Sequence, residues 1–184
     1  SYAAGLNIAN SMTEQGITQI NGALVQKAID DVFKKRTVLL SPEQATMTLQ
    51  QQLQEFARKK GAAEKAKGVA YLEENKKRAG VTVLPNGLQY EVLQAGEPNG
   101  IKPTLNDTVV VHYVGVMVNG VEVDNSVKRG QPATFMLTGV IRGWTEILQM
   151  MPKGAKWKVY IPSDLAYGDA GYNGIPGGAT LIFD

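Results

Sequence analysis

The stretch Val140-Ile141-Arg142-Gly143-Trp144-Thr145-Glu146-Ile147-Leu148 decides how the second half of this chain folds. Its Trp144, Ile147 and Leu148 recur at the three- and four-residue spacing of one helical face, which predicts a short buried helix. The proline and glycine of Met151-Pro152-Lys153-Gly154 end that helix, because proline cannot continue a helix and glycine suits a turn. Strand-like segments precede and follow it, and one short helix among strands is typical of an α+β domain.

The residues alone leave two interpretations of Trp144 open. A tryptophan on a short helix can be a plain core residue, and it can also form the floor of a pocket. The neighbouring Gly143 is expected to let the backbone turn tightly at this point.

The composition of the whole chain excludes several classes of function. Of its 184 residues 43% are apolar and 20% are charged, as in an ordinary globular protein. A net charge of +2 provides no strong field for nucleic acid or anionic lipid, so we expect neither as a partner. There is no cysteine and only one histidine, His112, so we expect no disulfide, metal site, cofactor or histidine-based triad. His112 itself is interpreted as a packed or surface side chain.

The two ends of the chain predict a trimmed form. The sequence begins at Ser1 without a methionine or a recognisable signal peptide, and it stops at Asp184 within a strand-like segment. We therefore expect the rest of the final strand to be missing. No apolar run approaches the length of a transmembrane helix.

The first 78 residues predict three helices. Two short helices fill residues 1 to about 40, separated by a stop at Gly16, which can adopt positive φ. Ser41-Pro42-Glu43-Gln44 then starts a third helix, with a capping serine, a proline at the first position and an acid in the first turn. No proline follows until Pro85, so this helix is expected to run to about Arg78.

The composition of the long helix predicts how the chain is divided into domains. Its second half is mostly Ala, Lys and Glu, which predicts a solvated stalk. The short helices hold too little apolar surface to be stable alone, so we expect residues 1–60 to form a homodimer. The alternative is a small monomeric helical cap. The predicted domains are a dimerisation module (1–40), a connecting helix (41–79) and a β-rich domain (80–184).

The β-rich domain is predicted from alternating apolar residues bounded by turns. Asn119-Gly120 is a strong hairpin signal, and Pro85-Asn86-Gly87 joins the first two strands. The predicted fold class is α+β, with an antiparallel sheet wrapped around one short helix. The predicted strands are 81–84, 88–93, 107–118, 121–124, 133–137 and 156–162.

Several motifs in this half occur in a consistent order and spacing. They are Val111-His112-Tyr113-Val114-Gly115, the hairpin from Asn119 to Ser126, Arg129-Gly130-Gln131-Pro132-Ala133-Thr134-Phe135, Val140-Ile141-Arg142-Gly143-Trp144, Met151 to Trp157, Ile161-Pro162-Ser163-Asp164-Leu165-Ala166-Tyr167-Gly168, and Gly174-Ile175-Pro176 through Phe183. Together, over roughly residues 86–184, they resemble the FK506-binding-protein (FKBP) family of peptidyl-prolyl isomerases. The helical first half resembles the bacterial macrophage-infectivity-potentiator and FklB/FkpA-like branch, whose members dimerise through an N-terminal module.

The resemblance implies a pocket and a role for each residue around it. Trp144 would form the floor and Asp124 would be a polar group at the rim. The backbone N–H of Ile141 and the hydroxyl of Tyr167 would donate hydrogen bonds to a substrate carbonyl. The simpler interpretation of Asp124 as a turn-capping residue also stays open. The implied lining is Tyr113, Phe135, Val140, Ile141, Trp144, Tyr167, Ile175 and Phe183.

The sequence departs from the family pattern at two positions of this pocket. Val123 stands where the family usually has Phe, so one wall loses an aromatic ring, and we expect lower turnover and lower macrolide affinity. Gly177 stands where the family often has a second Pro, and we expect this to loosen the loop over the pocket.

The resemblance implies a function without covalent catalysis: isomerisation of X–Pro bonds in unfolded or partly folded chains. The competing hypothesis is a dimeric folding chaperone with weak isomerase activity, and a third is a purely structural dimeric adaptor. The implied partners are proline-containing polypeptides, macrolides of the FK506/rapamycin type and a second copy of the chain. The implied location is the bacterial periplasm or outer membrane, with the cytoplasm as the alternative.

Overall fold

A computed structural model of the protein describes residues 1–17 and 19–184 and divides the chain into two compact units, Ser1–Lys59 and Lys60–Asp184. Residues 60–79 group with the β-rich unit rather than with the helices before them. The predicted domain boundaries after residues 40 and 79 stay predictions.

The helical part contains three helices whose ends follow the sequence signals. Gly16 adopts a φ of 88° after the first helix, and Asn21 caps the second by accepting a hydrogen bond from the Leu24 amide at 3.1 Å. Ser41 and Gln44 cap the third reciprocally, each side chain accepting a bond from the other's backbone N–H. The helices are α1 (Tyr2–Glu14), α2 (Gly22–Phe33) and α3 (Pro42–Asn75), so α3 ends short of the expected Arg78.

The β-rich unit is an antiparallel sheet wrapped around one short helix, which confirms the predicted fold class. Six strands lie in the order β1-β2-β7-β8-β4-β5, and β3 pairs separately with β6. The elements are β1 (Val81–Val83), β2 (Gln89–Gln94), β3 (Thr108–Val111), β4 (Val114–Met117), β5 (Glu122–Asn125), β6 (Ala133–Met136), α4 (Arg142–Leu148), β7 (Lys156–Ile161) and β8 (Leu181–Phe183).

The strand predicted over 107–118 is wrong as a single element, because the chain changes sheets at His112-Tyr113. β3 before this point pairs with β6, whereas β4 after it pairs with β5 and β8. The buried hydroxyl of Ser126 accepts a bond from the Tyr113 amide at 2.7 Å and donates one to the Tyr113 carbonyl at 3.1 Å. These bonds replace the ladder partners that the break removes. His112 is exposed, with Nδ1 3.2 Å from the same hydroxyl.

The core of this unit forms around α4. Trp144, Ile147 and Leu148 are all buried, as their spacing predicts. Gly143 has a different role from the expected one. It lies inside the helix, where a Cβ would be 2.5 Å from Cγ2 of Ile161, so glycine is needed for the close approach of β7 rather than for a turn.

The second half of α3 is packed on the sheet, so the expectation of a solvated stalk is wrong there. Leu72 is buried with Tyr160 and Ile182. At Gly68 a Cβ would lie 2.1 Å from Oγ1 of Thr180, which shows how closely the helix backbone approaches the segment before β8. Sequence reasoning missed this face because two of its contact residues are glycines, which carry no apolar signal.

A buried polar network fixes the end of α3. The Asn75 side-chain amide donates to Gln89 Oε1 at 2.9 Å, and Arg78 Nη1 donates to Tyr160 Oη at 2.9 Å. Tyr160 in turn donates to Glu91. Burial, and then the hydrogen bond to Glu91, raises the pKa of Tyr160 to about 12, so the phenol stays a donor.

Candidate functional site

Three aromatic rings surround Trp144 at its edges. Their centroids lie 4.9 Å (Tyr113), 5.5 Å (Phe135) and 5.1 Å (Phe183) from the indole, and each plane is within about 10° of perpendicular to it. Edge-to-face packing holds all four rings in one orientation. Trp144 is only 8% exposed, so in its packing it is a core residue.

Asp124 lies at the end of β5 beside this cluster and accepts three hydrogen bonds. The donors are the Tyr113 hydroxyl, the Arg129 guanidinium and the Asn125 amide, the last at 2.8 Å. Burial raises the pKa of Asp124, but the hydrogen bonds from Tyr113 and Arg129 outweigh it and hold the pKa below its usual value of 3.8. The bond from the Asn125 amide joins two neighbouring residues of β5, so the interpretation of Asp124 as a turn cap stays a prediction. Asp124 orients the Tyr113 phenol.

Arg129 is a site residue that sequence reasoning missed. Its guanidinium carbon lies 5.7 Å from the centroid of the Tyr113 ring, and its Nη2 donates to the Tyr113 hydroxyl at 3.2 Å. The available signal was an arginine five residues after Asp124, across a turn that brings the chain back. The side chain neutralises the rim carboxylate while leaving it partly exposed.

Two hydrogen-bond donors stand free at this site, within residues 1–17 and 19–184. The Tyr167 hydroxyl makes no side-chain hydrogen bond there, and the ring stacks on Tyr172 with a centroid distance of 5.0 Å. Burial, with Tyr172 and Asp124 nearby, raises the pKa of Tyr167, so the phenol is protonated at neutral pH. Ile141 precedes α4, and its carbonyl accepts from the Trp144 and Thr145 amides, whereas its own amide donates no backbone bond in the part described.

The loop after Tyr167 carries Ile175, which packs against the aromatic core, as do Val140 and Ile141. Mutual backbone bonds between Tyr172 and Ile175, at 2.9 and 2.8 Å, close its tip. The expected loosening by Gly177 is not what the geometry shows. A Cβ there would lie 1.9 Å from the Asp169 carbonyl oxygen, so the glycine allows tight packing of the loop.

Val123 also packs against the cluster, beside Gly115 and Phe183. A Cβ on Gly115 would lie 2.5 Å from Cε1 of Phe183 and 3.1 Å from Cγ2 of Val123. Only glycine at position 115 therefore leaves room for the Phe183 ring. Strand propensity alone does not predict a glycine there.

A separate groove of about 830 Å³ shares Trp144, Tyr113 and Phe183 with the cluster, but Asp124 and Tyr167 do not line it. Its walls come mainly from β3, α4 and β7. Trp157 lines it, and the buried indole N–H of that residue meets no acceptor among the described side chains and backbone. The groove is therefore distinct from the predicted pocket.

Residues 1–17 and 19–184 show neither a metal site nor a membrane-spanning helix. No group of three or more histidine, cysteine or acidic side chains is gathered there as a metal site would need. None of the helices described combines the length and the apolar character required to cross a membrane.

The chain is similar to proteins of known family over its whole length. Residues 99–184 match the family of FKBP-type peptidyl-prolyl cis-trans isomerases, and residues 1–92 match the domain that precedes that isomerase domain. The outer membrane protein MIP of Legionella longbeachae is 40% identical, covering 100% of this chain and 81% of that protein. An FKBP-type 22 kDa isomerase of Escherichia coli is 37% identical, covering 100% of the chain and 90% of that protein.

The likeness extends to a solved structure. The crystal structure of FkpA from Escherichia coli matches with a TM-score of 0.82 and 38% identity, covering 100% of this chain and 89% of that one. Matches that span both units, with the isomerase motifs around Trp144 in place, show that this chain belongs to the FKBP-type peptidyl-prolyl cis-trans isomerases, in the branch that carries an N-terminal helical domain.

Proposed function

We propose that prolyl isomerisation takes place at the Trp144 cluster, and that it proceeds by desolvation and hydrogen bonding without any covalent step. The observation that carries this is the pairing of a rigid aromatic surface with two free donors, the Tyr167 hydroxyl and the Ile141 amide. The prolyl ring packs on the Trp144 indole, between the side chains of Phe135 and Ile175.

The chemistry requires only rotation about one bond. Amide resonance sets a barrier of roughly 18–20 kcal/mol, and the cis and trans forms differ by only about 0.5–1 kcal/mol at X–Pro. The planar amide is more dipolar than the twisted one, so water stabilises the ground state more. A pocket that replaces water with ring edges and aliphatic carbon reduces the free-energy difference between the planar amide and the twisted transition state. Only interactions that are stronger in the twisted state raise the rate.

Each polar group has one task in this scheme. Tyr167 and the Ile141 amide hold the substrate carbonyl while the prolyl side rotates. Asp124, fixed by Tyr113 and Arg129, keeps the rim of the pocket polar and its walls in position. No group gains or loses a proton, which agrees with the raised pKa of Tyr167 and the lowered pKa of Asp124.

Val123 weakens one wall of this pocket. Its short side chain packs against the aromatic core beside Gly115 but offers no ring edge to the substrate. Proline-containing segments of unfolded or partly folded chains are the substrates, and macrolides of the FK506/rapamycin type enter the same pocket with reduced affinity. Competition of rapamycin against peptide turnover measures that affinity directly.

Isomerisation of a short Leu-Pro peptide tests the proposal. Tyr167→Phe should lower kcat/KM about tenfold and Trp144→Ala by more, because they remove the donor and the floor, while Val123→Phe should raise it about three- to tenfold. Lys156→Met, on the exposed start of β7, is the control and should leave kcat/KM unchanged. Wild-type activity that survives both Tyr167→Phe and Trp144→Ala would overturn this assignment of the site.

A second copy of the chain is the partner we propose for residues 1–60. In the described part of the first unit, residues 1–17 and 19–59, the only buried side chain is that of Asp31. Large apolar side chains are exposed throughout, among them Phe33 at 84% and Leu39 at 72%. Such a unit has no core of its own, and pairing with an identical unit supplies one.

A dimeric folding chaperone with weak isomerase activity is the alternative, and the exposed apolar surface of the first unit favours it. Location in the bacterial periplasm or at the outer membrane is supported by the name of the Legionella relative, with the cytoplasm as alternative. Immunodetection in fractionated cells separates the two locations.

A further inference from the structure

The second half of α3 touches the base of the loop that carries two proposed pocket residues. We define the pocket loop as residues 164–178, which contain Tyr167 and Ile175. A Cβ on Gly61 of the helix would lie 3.3 Å from the Gly177 carbonyl oxygen, and a Cβ on Gly178 would lie 2.2 Å from the Gly61 carbonyl oxygen. The two backbones are therefore in direct contact, without side chains between them.

Lys65 extends from this point of contact to both sides of Tyr167. Its Nζ lies 2.7 Å from Asp164 Oδ1 and 3.7 Å from Asp169 Oδ1. The hydrogen bond to Asp164 raises the pKa of Lys65, so the ammonium stays charged throughout the working pH range. One cation on the helix thus holds two acids that flank the proposed donor in sequence.

The pocket loop is tied together by contacts between its own residues. The Gly178 amide donates to the Gly168 carbonyl at 2.8 Å, which joins the end of the loop to the residue after Tyr167. Tyr172 stacks on Tyr167 and is bonded to Ile175. A shift at the base of the loop therefore displaces the Tyr167 hydroxyl and the Ile175 side chain together.

We propose that Lys65 is a positioning residue for prolyl isomerisation, which sets the pocket loop through Asp164 and Asp169 so that Tyr167 and Ile175 meet the substrate. This inference rests on the proposed site. The ion pairs are mostly exposed, and pairs of that kind contribute little to stability. Their effect is on the position of the loop, and through Lys65 the connecting helix is part of the active enzyme.

The test compares Lys65→Met with Lys67→Met in the full-length chain. Met keeps the length and helix propensity of Lys, and Lys67 pairs with Glu64 on its own helix, so it is the matched control. Lys65→Met should raise KM for a Leu-Pro peptide about three- to tenfold with kcat within about twofold, since a displaced loop weakens binding. Lys65→Arg should restore KM, and Lys67→Met should leave it unchanged.

Two further measurements separate positioning from stability. A partly unfolded sample would lower kcat and leave KM alone, and the melting temperature of Lys65→Met should equal that of Lys67→Met. Combining Lys65→Met with Asp164→Asn and Asp169→Asn should add nothing to the rise in KM. Equal KM values for Lys65→Met and Lys67→Met would overturn the proposal. If Tyr167→Phe also leaves kcat/KM unchanged, the proposed site itself is wrong. If Tyr167→Phe lowers kcat/KM but Lys65→Met leaves KM unchanged, only the positioning role of Lys65 is overturned.

Discussion

At the scale of single residues, Asp124 shows how one side chain serves structure and site together. Its two carboxylate oxygens accept from a backbone amide, a phenol and a guanidinium, so neither oxygen is left to bind water alone. The hydrogen bonds from Tyr113 and Arg129 outweigh the cost of partial burial, which is why the pKa of Asp124 ends below that of a free aspartate. Tyr113 gains a fixed hydroxyl direction from the same arrangement.

We expect kcat/KM to be independent of pH from about pH 5 to about pH 9. The lowered pKa of Asp124 keeps its carboxylate charged until the pH falls below 3.8, and its contribution to stability is lost only as pH falls through that lowered value. The raised pKa values of Tyr113 and Tyr167 keep both phenols protonated past pH 10. A pH series with the Leu-Pro peptide checks this plateau.

The same pH series on Arg129→Leu shows which group causes the fall of kcat/KM at low pH, the acid limb of the profile. Without the guanidinium, one of the hydrogen bonds that lower the pKa of Asp124 is lost and this pKa rises, so the acid limb should move to higher pH while the alkaline limb stays in place. Lys128→Leu, one residue earlier and paired with Glu122 instead, is the control and should behave as the wild type. An acid limb that is identical in all three proteins would contradict the assignment to Asp124.

At the scale of elements, close backbone approach explains what helix propensity alone does not. Gly68 lies within a long helix, where glycine costs about 1 kcal/mol relative to alanine. A Cβ there would be 2.1 Å from Oγ1 and 2.9 Å from Cβ of the buried Thr180, so the helix can lie against the sheet only with glycine at this position. The cost in propensity is offset by burial of Leu72 nearby.

We expect Gly68→Ala and Ala62→Gly both to destabilise the second unit, although propensity alone predicts opposite signs. The overpacked Gly68→Ala should lower the free energy of unfolding by about 1–2 kcal/mol, and the exposed Ala62→Gly by about 1 kcal/mol. Both tryptophans, Trp144 and Trp157, lie in the second unit, so fluorescence in urea reports on it selectively. A more stable Gly68→Ala protein would show that the helix does not pack as closely as described.

Some elements of the fold are set by local sequence signals, and others are set by distant partners. Apolar spacing and turn residues predict α4, the Asn119-Gly120 hairpin and the start of α3 because these signals are local. The change of sheets at His112-Tyr113 and the buried face at Gly68 are set by distant partners, Ser126 and Thr180. Glycines at such contacts carry no apolar signal, so periodicity cannot find them. The candidate site residues came from the family resemblance, and Arg129, which was not carried over, emerged only with the fold.

At the scale of the whole molecule, the two units differ in how they bury apolar surface. The second unit has its own core around Trp144 and Leu181. In the first unit, Asp31 is the only buried residue among the described residues 1–17 and 19–59. Asp31 is 2% exposed and accepts from Lys27 at 2.7 Å, so even this residue is satisfied within α2. In the homodimer that we propose, association supplies the stability that the first unit lacks by itself.

Sedimentation equilibrium of the full chain should give a mass close to twice 19.9 kDa, and Phe33→Glu should convert the protein to monomers. Phe33 is 84% exposed at the end of α2, and loss of its burial in two symmetric copies should raise the dimer dissociation constant about 100-fold or more. Gln26→Glu adds the same charge at an exposed polar position of α2 and should leave the dimer intact.

The two activities should then separate. Because the proposed pocket lies within the second unit of a single chain, Phe33→Glu should isomerise the Leu-Pro peptide at the wild-type rate per chain. If chaperone action requires both copies of the dimer to hold one client chain, suppression of client aggregation should fall when the dimer is lost. It should be unchanged in Tyr167→Phe. A full chain that sediments as a monomer would instead leave the apolar side chains of the first unit exposed to clients directly. Phe33→Glu would then weaken client binding without changing the mass.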